Sequence, residues 1–230
     1  MKKKIGILGG LSPESTAIYY TTITRGYLEA TGDERYPEII VYSVNFQKYS
    51  DWFSQGKWEE AGHDMAKIFE KLRSAGADFG LIASNTPHRS LEFITPNTEL
   101  PILSIIDATA DSIIASGIKC VGLLGTRFTM QEDFYKLGLN KKGLDVIVPE
   151  TDDLIEINRV IYEELVKGVV LDKSRERDIE IIGRLSKKGA MGIILGCTEI
   201  PLLIGPDDVD VPLFDTTKIH GAAALKFSTS

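Results

Sequence analysis

The chain has 230 residues, of which 43% are apolar and 26% charged, with a net charge of −7. So large an apolar share excludes a disordered chain, and the length allows one or two domains. An acidic chain with no basic block is a poor partner for nucleic acid, so any anionic substrate must be held by local donors. Two cysteines, Cys120 and Cys197, make no disulfide framework and point to a reducing compartment. No apolar run is long enough to cross a membrane. The opening MKKKIGILGG reads as a short strand and glycine turn rather than an export leader. The expectation is a cytoplasmic protein.

Lys4–Leu8 reads as a buried strand followed by a glycine turn. Ser12-Pro13-Glu14 then caps a helix running to about Ala30, with Gly32 beyond it. Ile39–Val44 is β-branched and predicts the next strand. Ala61, Met65, Ile68, Phe69 and Leu72 form a helical stripe that Gly76 closes. Phe79–Ala83 and Pro101–Ile105 read as strands and Asp107–Ser116 as a helix. Cys120–Leu124 is the next strand, and Thr129-Met130-Gln131-Glu132 reads as a capping box opening the helix after it. Val146–Val148 is a strand. Ile157, Ile161 and Leu165 mark one helix, and Ile179, Ile182 and Leu185 another. Met191–Leu195 and Val211–Phe214 are the last strands, and a helix from about Thr217 closes the chain. Strands alternating with helices predict an α/β fold with parallel sheets flanked by helices.

Two strand-end motifs recur in order. Residues 5–10 (IGILGG) resemble 121–126 (VGLLGT) at an offset of 116, and 81–86 (LIASNT) resemble 194–199 (ILGCTE) at an offset of 113. Their paired order and spacing predict a duplication: two similar small α/β domains related by a pseudo-twofold. The expected division is 1–107 with 207–230, on the Ser84 side, and 108–206, on the Cys197 side. Ligands of such sheets bind beyond the carboxyl ends of the strands. Ser84 and Cys197 occupy equivalent strand ends, expected on opposite sides of one cleft.

Cys197 lies in a polar Gly-Cys-Thr-Glu segment just past a buried strand, where backbone N–H groups can lower a thiol's pKa. Cys120, inside its strand, reads as packing. Ser84, Asn85 and Thr86 supply neutral donors able to hold a carboxylate, and equally suit an ordinary turn and cap. Gly10, Leu11 and Ser12 let backbone approach a ligand but form neither a P-loop nor a dinucleotide fingerprint. His63, His88 and His220 have no metal-ligand spacing. His63 is expected in solvent and His88 at the cleft rim. Lys167 is a helix-end cation able to reach an acidic side chain. Trp52 and Trp58 read as packing.

These segments, together with 124–130 (LGTRFTM), 84–88 (SNTPH) and 196–200 (GCTEI), resemble the aspartate/glutamate racemase superfamily and its aspartate racemase branch over essentially the whole chain. The segments 126–135 and 12–16 look most like the L-aspartate/glutamate-specific racemases. The resemblance implies two α/β domains with the site between them, a homodimer, no cofactor and no metal, and racemisation by two groups on opposite faces of Cα. Typical members carry two cysteines; here Cys197 is kept and Ser84 stands in place of the first. The resemblance implies that Cys197 works as thiolate base and acid on the L face, with Ser84 or a water beside it on the other. Asn85, Thr86, Thr126 and Thr198 would hold the α-carboxylate and amine, and Gly10, Leu11 and Ser12 would line the first loop. Glu199, where glutamate racemases carry histidine, would orient Cys197 or the substrate ammonium. Lys167 would meet the side-chain carboxylate of aspartate or glutamate.

Three other readings compete. A single-cysteine decarboxylase related to the arylmalonate decarboxylases needs only one protonation. A cysteine hydrolase would pair Cys197 with His88 or His220, but no spacing supports a triad. A non-catalytic binder of dicarboxylates or amino acids would retain the strand-end donors without turnover.

Overall fold

A computed structural model describes residues 2–230 of the chain. The apolar runs at 5–9, 79–82, 120–125 and 193–196 become strands buried on both faces, and amphipathic stretches cover them. The order is β1 (Ile5–Gly9), α1 (Pro13–Thr31), β2 (Ile39–Ser43), α2 (Phe46–Ser54), α3 (Trp58–Ser74), β3 (Phe79–Ile82), α4 (Leu91–Ile94), β4 (Ile102–Leu103), α5 (Ile105–Ala115), β5 (Cys120–Gly125), α6 (Arg127–Gln131), α7 (Asp133–Lys141), β6 (Asp145–Ile147), α8 (Thr151–Glu163), α9 (Asp172–Lys187), β7 (Ile193–Gly196), β8 (Leu213–Asp215) and α10 (Thr216–Thr229).

The chain divides into two compact units, one of residues up to Ala108 with Thr217–Ser230, the other Thr109–Thr216. Each holds a parallel four-stranded sheet, ordered β2-β1-β3-β4 in the first and β6-β5-β7-β8 in the second. The repeat extends to register. Leu8 pairs with Ile82, and their counterparts Leu124 and Leu195, at the offsets 116 and 113, pair with each other.

In the first unit Ile5, Ile7, Tyr19, Ile23, Phe79 and Leu81 form the centre of a buried cluster. In the second, Leu124, Ile157, Ile161, Ile181, Ile193 and Leu195 do so. Burying each such aliphatic side chain contributes roughly 1.5–3 kcal/mol. Ser12 caps α1 by accepting from the Ser15 N–H at 3.2 Å, and Gly32 ends it in the left-handed region.

Several elements differ from the sequence reading. β8 pairs in parallel with β7, so the stretch 207–216 stays in the second unit and only α10 belongs to the first. Leu213 and Phe214 pair with Ile193 and Ile194 of β7. Thr126, not Thr129, caps the helix after β5, accepting from the Thr129 N–H; the next helix starts at Asp133 after a break at Glu132. β4 is only two residues long, because Ser104 opens α5 through its carbonyl and hydroxyl. α2 has no counterpart in that reading, although Asn45 caps it and Tyr49 and Phe53 bury one face. Among the described residues no helix is long and apolar enough to cross a membrane.

Candidate active site

Each unit presents polar side chains at the carboxyl ends of its two central strands. In the first, β1 leads into Gly10, Leu11 and Ser12, while β3, its direct neighbour, leads into Ser84, Asn85 and Thr86. Gly10 sits at φ +86°, and a Cβ there would lie 2.6 Å from the Val44 backbone, so this turn needs glycine. Thr16 Oγ1 accepts from the Gly10 N–H at 2.8 Å and donates to the Ser12 carbonyl. Ser15 Oγ donates to the Ala83 carbonyl at 2.6 Å, clamping the start of α1 to the end of β3. Leu11 and Asn85 are buried, while Ser84 and Thr86 are half-buried.

His88 and His220 support this end from beneath. The Ile105 N–H donates to His88 Nε2 at 3.1 Å, which leaves the proton on Nδ1, donating to the Ser84 carbonyl at 2.9 Å. His220 Nε2 donates to the Leu103 carbonyl at 3.0 Å, so its Nδ1 accepts from the Tyr19 hydroxyl at 2.7 Å. Burial pushes His88 down to about 4 and His220 down to about 3, the neighbouring His88 adding to the shift in His220. Both rings are therefore neutral. His88 is not at a rim, as the sequence suggested: it is enclosed, and it fixes the backbone that carries Ser84. His63 is exposed, with its ring edge near Phe93.

In the second unit, Gly125 of β5 and Gly196 of β7 are register partners. A Cβ on Gly196 would fall 2.7 Å from the Leu124 carbonyl oxygen, so the two strand ends come together only because glycine stands there. Thr126 and Cys197 follow directly. Cys197 is only 8% exposed; its Sγ donates to Glu199 Oε2 at 3.0 Å, and Thr198 Oγ1 donates to the same oxygen at 2.7 Å. Burial pushes the thiol well above its ordinary pKa, and the Glu199 carboxylate pushes it further. The N–H groups of Glu199 and Thr198 pull it down and are outweighed. The backbone donors are present, but the resting state is a thiol hydrogen-bonded to a carboxylate. Cys120 opens β5 half-buried, raised by burial and by Asp145.

Lys167 is exposed on the short turn 165–167 after α8, and its side chain makes no hydrogen bond or ion pair among the described residues. The structure adds two residues to this strand end: Arg127, whose N–H is held by Asn158 Oδ1 at 2.8 Å, and Tyr162, whose phenol is raised by burial first and then by its neighbours Cys197 and Glu199. Arg127 lies inside a motif already singled out. Tyr162 follows Asn158 by one helical turn, a link visible only once α8 is placed. Among the described residues no three His, Cys, Asp or Glu side chains gather to hold a metal ion.

Two α/β units of one strand order, with hydroxyls at both sets of strand ends and a thiol against a carboxylate at one, define an α/β protein of the two-domain racemase fold. Glutamate racemase of Francisella tularensis, solved with D-glutamate, shares that fold with a TM-score of 0.62 over 98% of this chain and 80% of its own, at 18% identity. The chain belongs to the Asp/Glu/hydantoin racemase family, whose sequence pattern matches residues 8–224. A Yersinia pestis protein provisionally described as an Asp/Glu racemase is 40% identical, with a TM-score of 0.95 over 99% of this chain and all of its own. An aspartate racemase homologue from Pyrococcus horikoshii is 38% identical, with a TM-score of 0.86 over 99% and 100% of the two chains. The chain spans about half the length of the curated glutamate racemases it matches.

Proposed function

We propose that the protein racemises aspartate or glutamate without a cofactor, with Cys197 exchanging the Cα proton on one face and Ser84, or a water beside it, serving the other. The observation that carries this reading is the Cys197–Glu199 pair at 3.0 Å, at a glycine-built strand end. The pair shares one proton and one negative charge. Moving the proton from Sγ to Oε2 generates a thiolate without changing the net charge, which is the cheap way to form a base in a buried place. The thiolate takes the Cα proton and leaves a carbanion on the substrate. A proton from Ser84 Oγ or water then enters the opposite face. Solvent restores that donor and removes the surplus proton from the pair.

Asn85, Thr86, Thr126 and Thr198, with the Gly10–Ser12 turn, are proposed to hold the α-carboxylate and amine, and Lys167 to meet the side-chain carboxylate. Family membership and the similarity to an aspartate racemase homologue support this choice of substrate. Proton NMR of L-aspartate and L-glutamate in heavy water tests it directly. The wild type should erase the Cα signal of one or both, and Cys197→Ser should not. Exchange retained in that variant defeats the role of Cys197.

One observation favours a second reading. A thiol that rests protonated is a ready proton donor, and a decarboxylase of the same superfamily needs only that. Carbon dioxide release from an arylmalonate, with no amino-acid exchange, would select it.

A further inference from the structure

Arg127 and Tyr162 stand at the Cys197 strand end without a part in the chemistry above. Because Gly125 and Gly196 are paired, Thr126-Arg127 and Cys197-Thr198 leave adjacent strands side by side. The Asn158 carboxamide holds the Arg127 N–H and ties the opening of α6 to α8. Tyr162 lies four residues after Asn158, hence on the same face of α8, and is 44% exposed. Burial, Cys197 and Glu199 raise its phenol to about 12 while Arg127 opposes them, so the hydroxyl keeps its proton and remains a donor. Arg35, Arg73, Arg89, Arg159, Arg177 and Arg184 all hold carboxylates. Arg127 forms no ion pair among the described residues; its exposed guanidinium only lies 5.6 Å from the centre of the Phe128 ring.

A free guanidinium fork and a phenol donor beside a negatively charged thiol–carboxylate pair make a place for an anion that Glu199 alone would repel. We propose that Arg127 and Tyr162 receive the side-chain carboxylate of the substrate, as a second anchor beside Lys167, and so restrict the enzyme to acidic amino acids. The proposal rests on the racemase reading and names the substrate feature that the site selects. Arg127 donates through its fork, and the Tyr162 hydroxyl donates to the same carboxylate.

The test compares L-aspartate with its neutral isostere L-asparagine. Calorimetric binding and Cα–H exchange in heavy water are measured for wild type, R127Q, R127K and Y162F. Wild type should prefer aspartate. R127Q should cut that preference about tenfold or more, the loss of a hydrogen-bonded charge. R127K, which keeps the charge without the fork, should fall between, and Y162F should cut it about threefold. R127K also covers the case in which R127Q fails to fold. A preference unchanged in R127Q, an equal weakening of both ligands, or no preference in the wild type overturns the proposal. Binding preference lost in R127Q while wild type exchanges neither ligand leaves the anion site standing and removes the racemase reading. Exchange with a preference that R127Q does not touch does the reverse.

Discussion

The Cys197 thiol donates its proton to the Glu199 carboxylate across 3.0 Å, and Glu199 also accepts from Thr198. That geometry makes the cysteine an acid at rest and gives it a base only through its partner. Glu199→Gln should therefore lower the thiol's pKa, because it removes the negative charge that raises it. Thiolate absorbance against pH, on a Cys120→Ser background, checks the shift. Cα exchange should meanwhile fall by about a hundredfold, since an amide cannot take the thiol proton. An unmoved titration, or full exchange activity, would contradict the coupling. The folded chain also holds this proton above about pH 8.5, where an unfolded cysteine releases it. That contribution to stability is present below pH 8.5 and declines as the pH rises.

If Ser84 serves the second face as proposed, the two faces are unequal, because a hydroxyl is a much weaker acid than a thiol. Starting from L-aspartate in heavy water, deuterium should enter Cα with retention several times faster than the D enantiomer appears. Ser84→Cys should bring the two rates close together. The equilibrium constant between enantiomers is one, so kcat/KM must rise by the same factor in both directions. A gain from the D side alone would signal inhibition or incomplete equilibration, and no gain at all would count against Ser84 facing the substrate.

Two buried neutral imidazoles set an acid limit on stability. An unfolded chain protonates His88 and His220 near pH 6.5, whereas the folded chain resists until about 4 and about 3. The unfolded state binds more protons in that window. The contribution is thus complete above 6.5, shrinks as the pH falls towards 4, and amounts to no more than ~3 kcal/mol for His88. Urea midpoints at pH 7, 6 and 5 should fall in that order, and less steeply in His88→Asn. Carboxylates such as Glu70, held near 2 by Arg73 and Thr98, contribute only at lower pH.

Asp178 acts with the opposite sign. It is 1% exposed on α9 and rises to about 7, through burial and the charges of Glu156 and Glu164, with Arg159 and Arg177 opposing. The folded chain keeps a proton there that the unfolded chain loses near pH 4, so the group destabilises increasingly as the pH climbs from 4 to 7. Asp178→Asn should raise stability by up to ~4 kcal/mol at pH 8 and by clearly less at pH 5. Denaturation of both proteins at the two pH values measures it; equal differences at both would refute the assignment.

Gly10→Ala places a Cβ 2.6 Å from the Val44 backbone in a left-handed turn. A loss of ~2 kcal/mol or more in stability is expected, together with weaker binding of the substrate carboxylate. A variant as stable as wild type would show that this turn relaxes freely.

The sequence by itself determined the periodic and local features. The runs at 5–9 and 120–125 made strands, Ser12 and Gly32 bounded a helix, and the offsets 116 and 113 foretold two sheets of one register. It also marked Ser84 and Cys197 as equivalent strand ends, because a strand end is legible where an apolar run meets polar residues. Tertiary structure decided what depends on distant neighbours. It gave β8 to the second sheet, paired with β7, and it enclosed His88, whose place four residues past Ser84 had suggested a rim. Above all it decided the state of Cys197. The backbone N–H groups that favour a thiolate follow from the local sequence. The burial that overrules them, with the adjacent Glu199 carboxylate adding to it, comes from packing, and desolvation cannot be read from spacing.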